Sequence, residues 1–276
     1  MKSLKPRLLT AVVGIALLLL VIFLCEMWRP AIKIIVGIFS AFMVGEYLHA
    51  KNLLKKIFLS VSCMAFSLAL PFVLTTGYLY ITLFVFMIAV FSVMIAKHSK
   101  LTFSDIAFAV TGTLLISFGM SSFSTICYLG SSFAFFFSTA FALPWMADAG
   151  GFFIGASMGK HKLCPNISPK KTVEGAVGGV IFCIISALLI GVIFQNFILT
   201  NASVNYVALI ILALIDAPLS ILGDLSFSLI KRNLNIKDYG SIFPGHGGVL
   251  DRFDSIIFTV PVMFILNQYI PFITLG

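Results

Sequence analysis

GDLSFSLIKRNLNIKDYGSIFPGHGGVLDRFD, residues 223–254, is the stretch from which the rest of the chain can be read. It lies between two strongly apolar segments, yet it holds four of the ten acidic residues, four of the eighteen Lys and Arg, and a glycine-rich turn. The chain as a whole is 60% hydrophobic and 10% charged, where a soluble domain carries about 25% charge. In such a chain this density of charge is costly unless it does chemistry. The flanking segments therefore read as a membrane scaffold holding the loop at the edge of a bilayer.

Outward from the loop, apolar runs recur at about Leu8–Leu24, Ala31–Leu48, Ile57–Leu74, Tyr78–Ala96, Ile106–Ile126, Ser131–Gly151, Gly175–Phe194, Val204–Gly223 and Ser255–Ile270. Each is near the ~20 residues that a helix needs to cross the hydrocarbon. The expected fold is an all-α polytopic membrane protein with about nine transmembrane helices. A signal peptide is the rival reading of the first run, but that run is long for one, and Glu26, Met27, Trp28 and Arg29 follow it in place of a small-residue cleavage site. With the N-terminus cytoplasmic, sixteen of the eighteen Lys and Arg fall on the cytoplasmic side and only Arg29 and Lys33 outside, as the positive-inside rule requires. The C-terminus is then outside. The net charge of +8 is thus mainly a topology signal, and no nucleic acid is needed to explain it. Residues 1–100 are expected to supply about four N-terminal transmembrane helices. Residues 101–276 are expected to form the catalytic membrane region, with cytoplasmic loops 155–174 and 223–254. The five Cys form no CxxC pair and read as small buried hydrophobes.

Three carboxylates lead the chemistry. Asp251 and Asp254 are spaced i, i+3 and share one face of a helix, while Asp224 closes the preceding apolar run. If those two helices pair antiparallel, the acids converge, and a hard divalent cation such as Mg2+ relieves their repulsion. A solvated helix end paired with Arg252 and Lys231 is the plainer alternative. Gly247 and Gly248, after His246, allow backbone amides to approach a ligand, and a helix N-terminus favours phosphate. On a helix continuing past Asp224, Ser228 and Lys231 share its face and Arg232 lies beside it, which suits a metal-bound polyphosphate. No second His or Cys stands at zinc spacing. Gly155 to Lys160 has the wrong spacing for a P-loop. Ser168-Pro169-Lys170-Lys171-Thr172 reads either as topology-setting charge or as a phosphate contact. Asp148 and Asp216 sit in or near apolar runs, where an ionisable group is functional by default.

Ser228-Leu-Ile-Lys231-Arg232, Lys237-Asp238 and Pro244-Gly-His246-Gly-Gly-Val-Leu-Asp251-Arg252-Phe-Asp254 together resemble the signature of the phosphatidate cytidylyltransferases, the CDP-diacylglycerol synthases. Upstream, Ala147 to Gly155, Gly159-Lys160-His161 and Ser168 to Gly175 resemble further blocks of that family. The resemblance covers about Trp145 to Pro261. Departures are Ala149, Gly151 and Phe152 for Thr, Ala and Tyr, Val173 for Trp, and Phe227 where many relatives carry Glu. The resemblance implies a membrane enzyme that converts CTP and phosphatidic acid into CDP-diacylglycerol and pyrophosphate; the charge distribution turns its site to the cytoplasm, and a compact chain suits a bacterial inner membrane. The resemblance also implies Mg2+, a second cation (K+) and a homodimer. Asp224, Asp251 and Asp254 then match the metal-site acids, and Lys231, Arg232, Lys237 and Arg252 fall at phosphate contacts. Rival readings are a CTP-dependent lipid kinase, a cytidylyltransferase acting on another lipid, and a membrane transporter.

Overall fold

The computed structural model describes residues 4–200, 202–242 and 247–275. His246, in the glycine-rich turn, lies outside the described residues. Among them nine helices follow in order: α1 (Leu4–Met27), α2 (Ala31–Ala50), α3 (Ile57–Val73), α4 (Leu79–Ala96), α5 (Phe103–Leu129), α6 (Phe133–Met158), α7 (Val173–Phe197), α8 (Tyr206–Asn233) and α9 (Leu250–Tyr269). Five of them, α2, α4, α5, α7 and α8, are long and apolar enough to cross a membrane. The chain is an integral membrane protein. Pro71, Pro144, Pro218 and Pro261 stand inside helices, which membrane helices tolerate because neighbouring groups satisfy the freed carbonyls.

An all-α expectation misses two short ladders. β1 (Lys162–Cys164) pairs antiparallel with β2 (Ser168–Thr172), and β3 (Ala202–Val204) with β4 (Ile273–Leu275). These short loop segments satisfy their polar backbone by pairing with each other.

By packing, the chain resolves into two units, residues 1–128 with 234–253, and residues 129–233 with 254–276. In the first, Gly37 of α2 lies against the Leu68 carbonyl of α3, and the hydroxyls of Ser40 and Ser67 meet at 2.6 Å. The Tyr47 ring stacks on Phe108 of α5 at 4.2 Å in space that Gly112 leaves open.

In the second unit α7 is patterned for lipid. Its small residues Gly175, Gly178, Gly179, Cys183 and Ala187 are buried, while Val177, Ile181, Ile185 and Leu189 form an exposed stripe. Without water to drive association, close backbone approach supplies the packing, and Gly178 and Gly179 lie against Ile154 and Ala147 of α6.

Where α8 meets α9, a Cβ on Gly223 would stand 2.7 Å from the Asp254 carbonyl oxygen. Both sides of this contact are backbone, so neither can yield. Gly223→Ala is therefore expected to cost about 1–3 kcal/mol, read as a lower melting temperature in detergent. An unchanged melting temperature would mean the helices separate without cost.

Candidate active site

α8 continues for a further turn and more past Asp224, to Asn233, and this sets the first half of the site. Ser228 donates to Asp224 Oδ1 at 3.4 Å, and Lys231, two turns beyond Asp224, is buried. The contact at Gly223 brings this part of α8 to the start of α9. There Asp254 is 7% exposed, ahead of the apolar part of the helix. Burial lifts its carboxyl to about 7; Asp224 and, more weakly, Asp148 of α6 push the same way, while Lys231 and the Ser255 amide oppose them. Asp148, Asp224 and Lys231 thus all act electrostatically on Asp254.

β2 then brings in the lysine pair. Along β2 Pro169 and Lys170 are exposed, while Lys171 is half-buried and Thr172 buried. Lys171 Nζ lies 2.6 Å from Asp224 Oδ2. Thr172 closes the strand and caps α7, accepting from the Gly175 amide at 3.1 Å. Its side chain also fills the space that Gly155 and Gly159 leave. Glu174 accepts from the amides of Lys160 and His161 and pairs with His161 Nδ1 at 2.6 Å. These glycine-containing blocks therefore do structural work on the hairpin that carries Ser168, Lys170 and Lys171.

The glycine-rich turn belongs to the first unit. Gly247 has φ +85°, a left-handed backbone that favours glycine. Asp251 Oδ2 accepts from the Tyr239 amide at 2.8 Å and from the Gly248 amide at 2.9 Å. The next two amides, Val249 and Leu250, donate at 3.1 and 2.8 Å to Glu46 of α2. The N-terminus of α9, expected from sequence to present free amides to a phosphate, thus has three consecutive amides directed at the protein's own carboxylates. Asp251 and Asp254 lie one turn apart on α9, both buried. Arg232, Lys237 and Arg252 are exposed.

Among the described residues no three His, Cys, Asp or Glu side chains stand together as a ready-made metal centre. Mg2+ keeps several waters and commonly takes only one or two carboxylates, with substrate phosphates completing its shell. The donor set at Asp224 and Asp254 fits such an ion, and the Lys171 ammonium stands in for a cation on Asp224.

The model of a family described as the cytidylyltransferase family matches residues 5–270. This chain belongs to that family. A phosphatidate cytidylyltransferase of Bacillus subtilis is 30% identical to it over 96% of this chain and 98% of its own length. The proteins of that name from Staphylococcus epidermidis and Staphylococcus aureus are 36% and 37% identical, each over 64% of this chain and 65% of its own length.

Membership in the cytidylyltransferase family frames the departures noted in the sequence. Phe227 is fully buried and meets Phe258 edge-on at 6.3 Å, an apolar contact between α8 and α9. Phe152 is 70% exposed and lies beside Phe153. Glu46 escaped the sequence reading altogether. The signal was present, an acid inside the apolar run Ala31–Leu48, where a lone ionisable group marks function by default.

Proposed function

We propose that this chain is a CTP:phosphatidate cytidylyltransferase, which transfers CMP from CTP to phosphatidic acid to give CDP-diacylglycerol and pyrophosphate in phospholipid biosynthesis. The packing of Gly223, next to Asp224, against the Asp254 backbone, in a chain of the cytidylyltransferase family, carries this reading. An anionic oxygen of the lipid phosphate attacks the α-phosphorus of CTP. A new P–O bond forms, the α–β bridge breaks, and pyrophosphate leaves with the bonding electrons. The nucleophile is already ionised at neutral pH, so no side chain need remove a proton from it. The difficulty is bringing two anions together.

Asp224, Asp251 and Asp254 would hold Mg2+, with K+ as a second cation. When bound, the metal screens the anions and stabilises the departing pyrophosphate. Lys231, which is buried and acts electrostatically on Asp254, takes charge that develops on the α-phosphate. Arg232, Lys237 and Arg252, exposed and therefore able to reach for a ligand, bind the phosphate chain. Ser168, Lys170, Lys171, Ser228, His246, Gly247, Gly248 and Asp148 complete substrate binding, and Lys171, paired with Asp224 at 2.6 Å, would contact phosphate. The lipid tails remain in the bilayer. An apolar groove between α6 and α7, lined by Ile154, Val177 and Ile181 together with Lys160 and Glu174, suits an acyl chain.

The topology proposed with this chemistry has nine spans, a cytoplasmic N-terminus, an outer C-terminus and an active site facing the cytoplasm of a bacterial inner membrane. Four N-terminal helices within residues 1–100 support a catalytic region, 101–276, in a homodimer.

CTP labelled in the cytidine ring, supplied with phosphatidic acid and Mg2+, tests the reaction. The label is expected to enter the lipid phase. Transfer of the γ-phosphate alone would make the chain a lipid kinase, and no modified lipid would favour a carrier. The lysine pair gives a separate prediction. Lys171→Ala is expected to lower turnover about ten- to hundredfold, the worth of a charged hydrogen bond, and Lys170→Ala by much less. Equal losses in steady-state kinetics would show that the Lys171–Asp224 pair has no functional consequence.

A further inference from the structure

We propose that Glu46 is a positioning residue of this site, holding the glycine-rich turn and the first turn of α9 so that Asp251 faces the nucleotide. This rests on the cytidylyltransferase reading above. Glu46 lies in the last turns of α2, 8% exposed, in a helix whose other residues are almost all apolar. Burying a carboxylate there is costly unless its oxygens are bonded. Both are: Oε1 accepts from the Val249 amide at 3.1 Å and Oε2 from the Leu250 amide at 2.8 Å. The acceptors sit at the positive end of α9, where a carboxylate is favoured.

The turn is shaped around this carboxylate. A Cβ on Gly248 would stand 2.5 Å from Glu46 Oε1, and one on Gly240 would strike the same oxygen. Two glycines far from α2 in sequence therefore leave the room that a buried acid needs. The amide of Gly248, next in line, goes to Asp251 Oδ2, which also receives the Tyr239 amide. Glu46 and Asp251 thus divide the free amides at the head of α9 between them. Fixing Val249 and Leu250 fixes the backbone from which Asp251 projects. Tyr47, beside Glu46, is buried and its ring centroid lies 6.1 Å from that of Tyr239, so α2 braces both ends of the loop. Glu46 acts through Asp251 and the turn.

The test compares wild type, Glu46→Ala and Glu46→Gln as full-length proteins in detergent. Gln is isosteric, but its amide nitrogen would face a backbone donor, so it keeps the shape and loses one bond. Hydrogen–deuterium exchange of residues 237–252 is expected to quicken at least tenfold in Glu46→Ala and by less in Glu46→Gln, with peptides from α6 and α7 unchanged. The KM for CTP is expected to rise about tenfold while the KM for phosphatidic acid stays the same. A mere loss of folded protein would lower the apparent kcat and leave both constants alone. Unchanged exchange in residues 237–252 would overturn the proposal, as would faster exchange with both Michaelis constants unaltered. The exchange measurement needs no turnover: wild type that fails to act on CTP removes the proposed reaction, and with it the nucleotide role of Glu46, while faster exchange would still establish the contact.

Discussion

Asp251→Asn, purified in detergent, is expected to lose CTP-dependent formation of CDP-diacylglycerol on the order of 10³-fold, as when a preorganised charge contact to a transition state is removed, and to keep its melting temperature. The second half of that expectation comes from the hydrogen bonds. One carboxylate oxygen of Asp251 receives the amides of Tyr239 and Gly248, and the carbonyl oxygen of Asn can receive both. What Asn lacks is the negative charge for a cation. Asp251→Ala removes the acceptor as well, so it should melt lower, because two buried amides are left unbonded at roughly 1–3 kcal/mol each. Radiochemical assay and thermal unfolding on the two variants separate these effects. Full activity in Asp251→Asn would remove Asp251 from the mechanism.

Asp254→Asn should lose activity to a similar degree but become more stable in metal-free buffer. The Asp254 carboxyl is raised from 3.8 to about 7, first by burial and then by Asp224. An acid with a raised folded-state value destabilises the fold as it ionises. The penalty is absent below the ordinary value, grows as pH rises towards about 7, and is complete above it. Asn carries no such penalty. At pH 8 the variant should therefore melt several degrees higher than wild type, and the gap should shrink towards pH 5. A variant that melts lower than wild type at pH 8 would show that the Asp254 charge is compensated in the metal-free protein.

Much of this site was legible because its residues lie close in sequence. The i, i+4 and i+7 spacing of Asp224, Ser228 and Lys231 holds because α8 runs unbroken to Asn233. The small-residue face at Gly175 and Gly179 was also visible, since helices in lipid need close approach. The hairpin at residues 162–172 was not, because a short basic loop carries little periodicity. Lys170 and Lys171 consequently read as an equivalent pair, whereas in β2 Lys170 is exposed and Lys171 half-buried. Glu46 was hidden for a different reason. Its partners are the amides of residues more than 200 positions away, and backbone groups leave no mark in a sequence. The amides at the start of α9 show the same limit: spacing revealed that they exist, but only the fold shows which carboxylates they meet.

Mn2+, which can replace Mg2+ and is visible by electron paramagnetic resonance, gives the most direct test of a cation shared between α8 and α9. Titration of wild type is expected to show a bound ion that is lost, or weakened at least tenfold, in both Asp224→Asn and Asp254→Asn. Binding that survives either substitution unchanged would contradict a shared site and leave the two aspartates with separate roles.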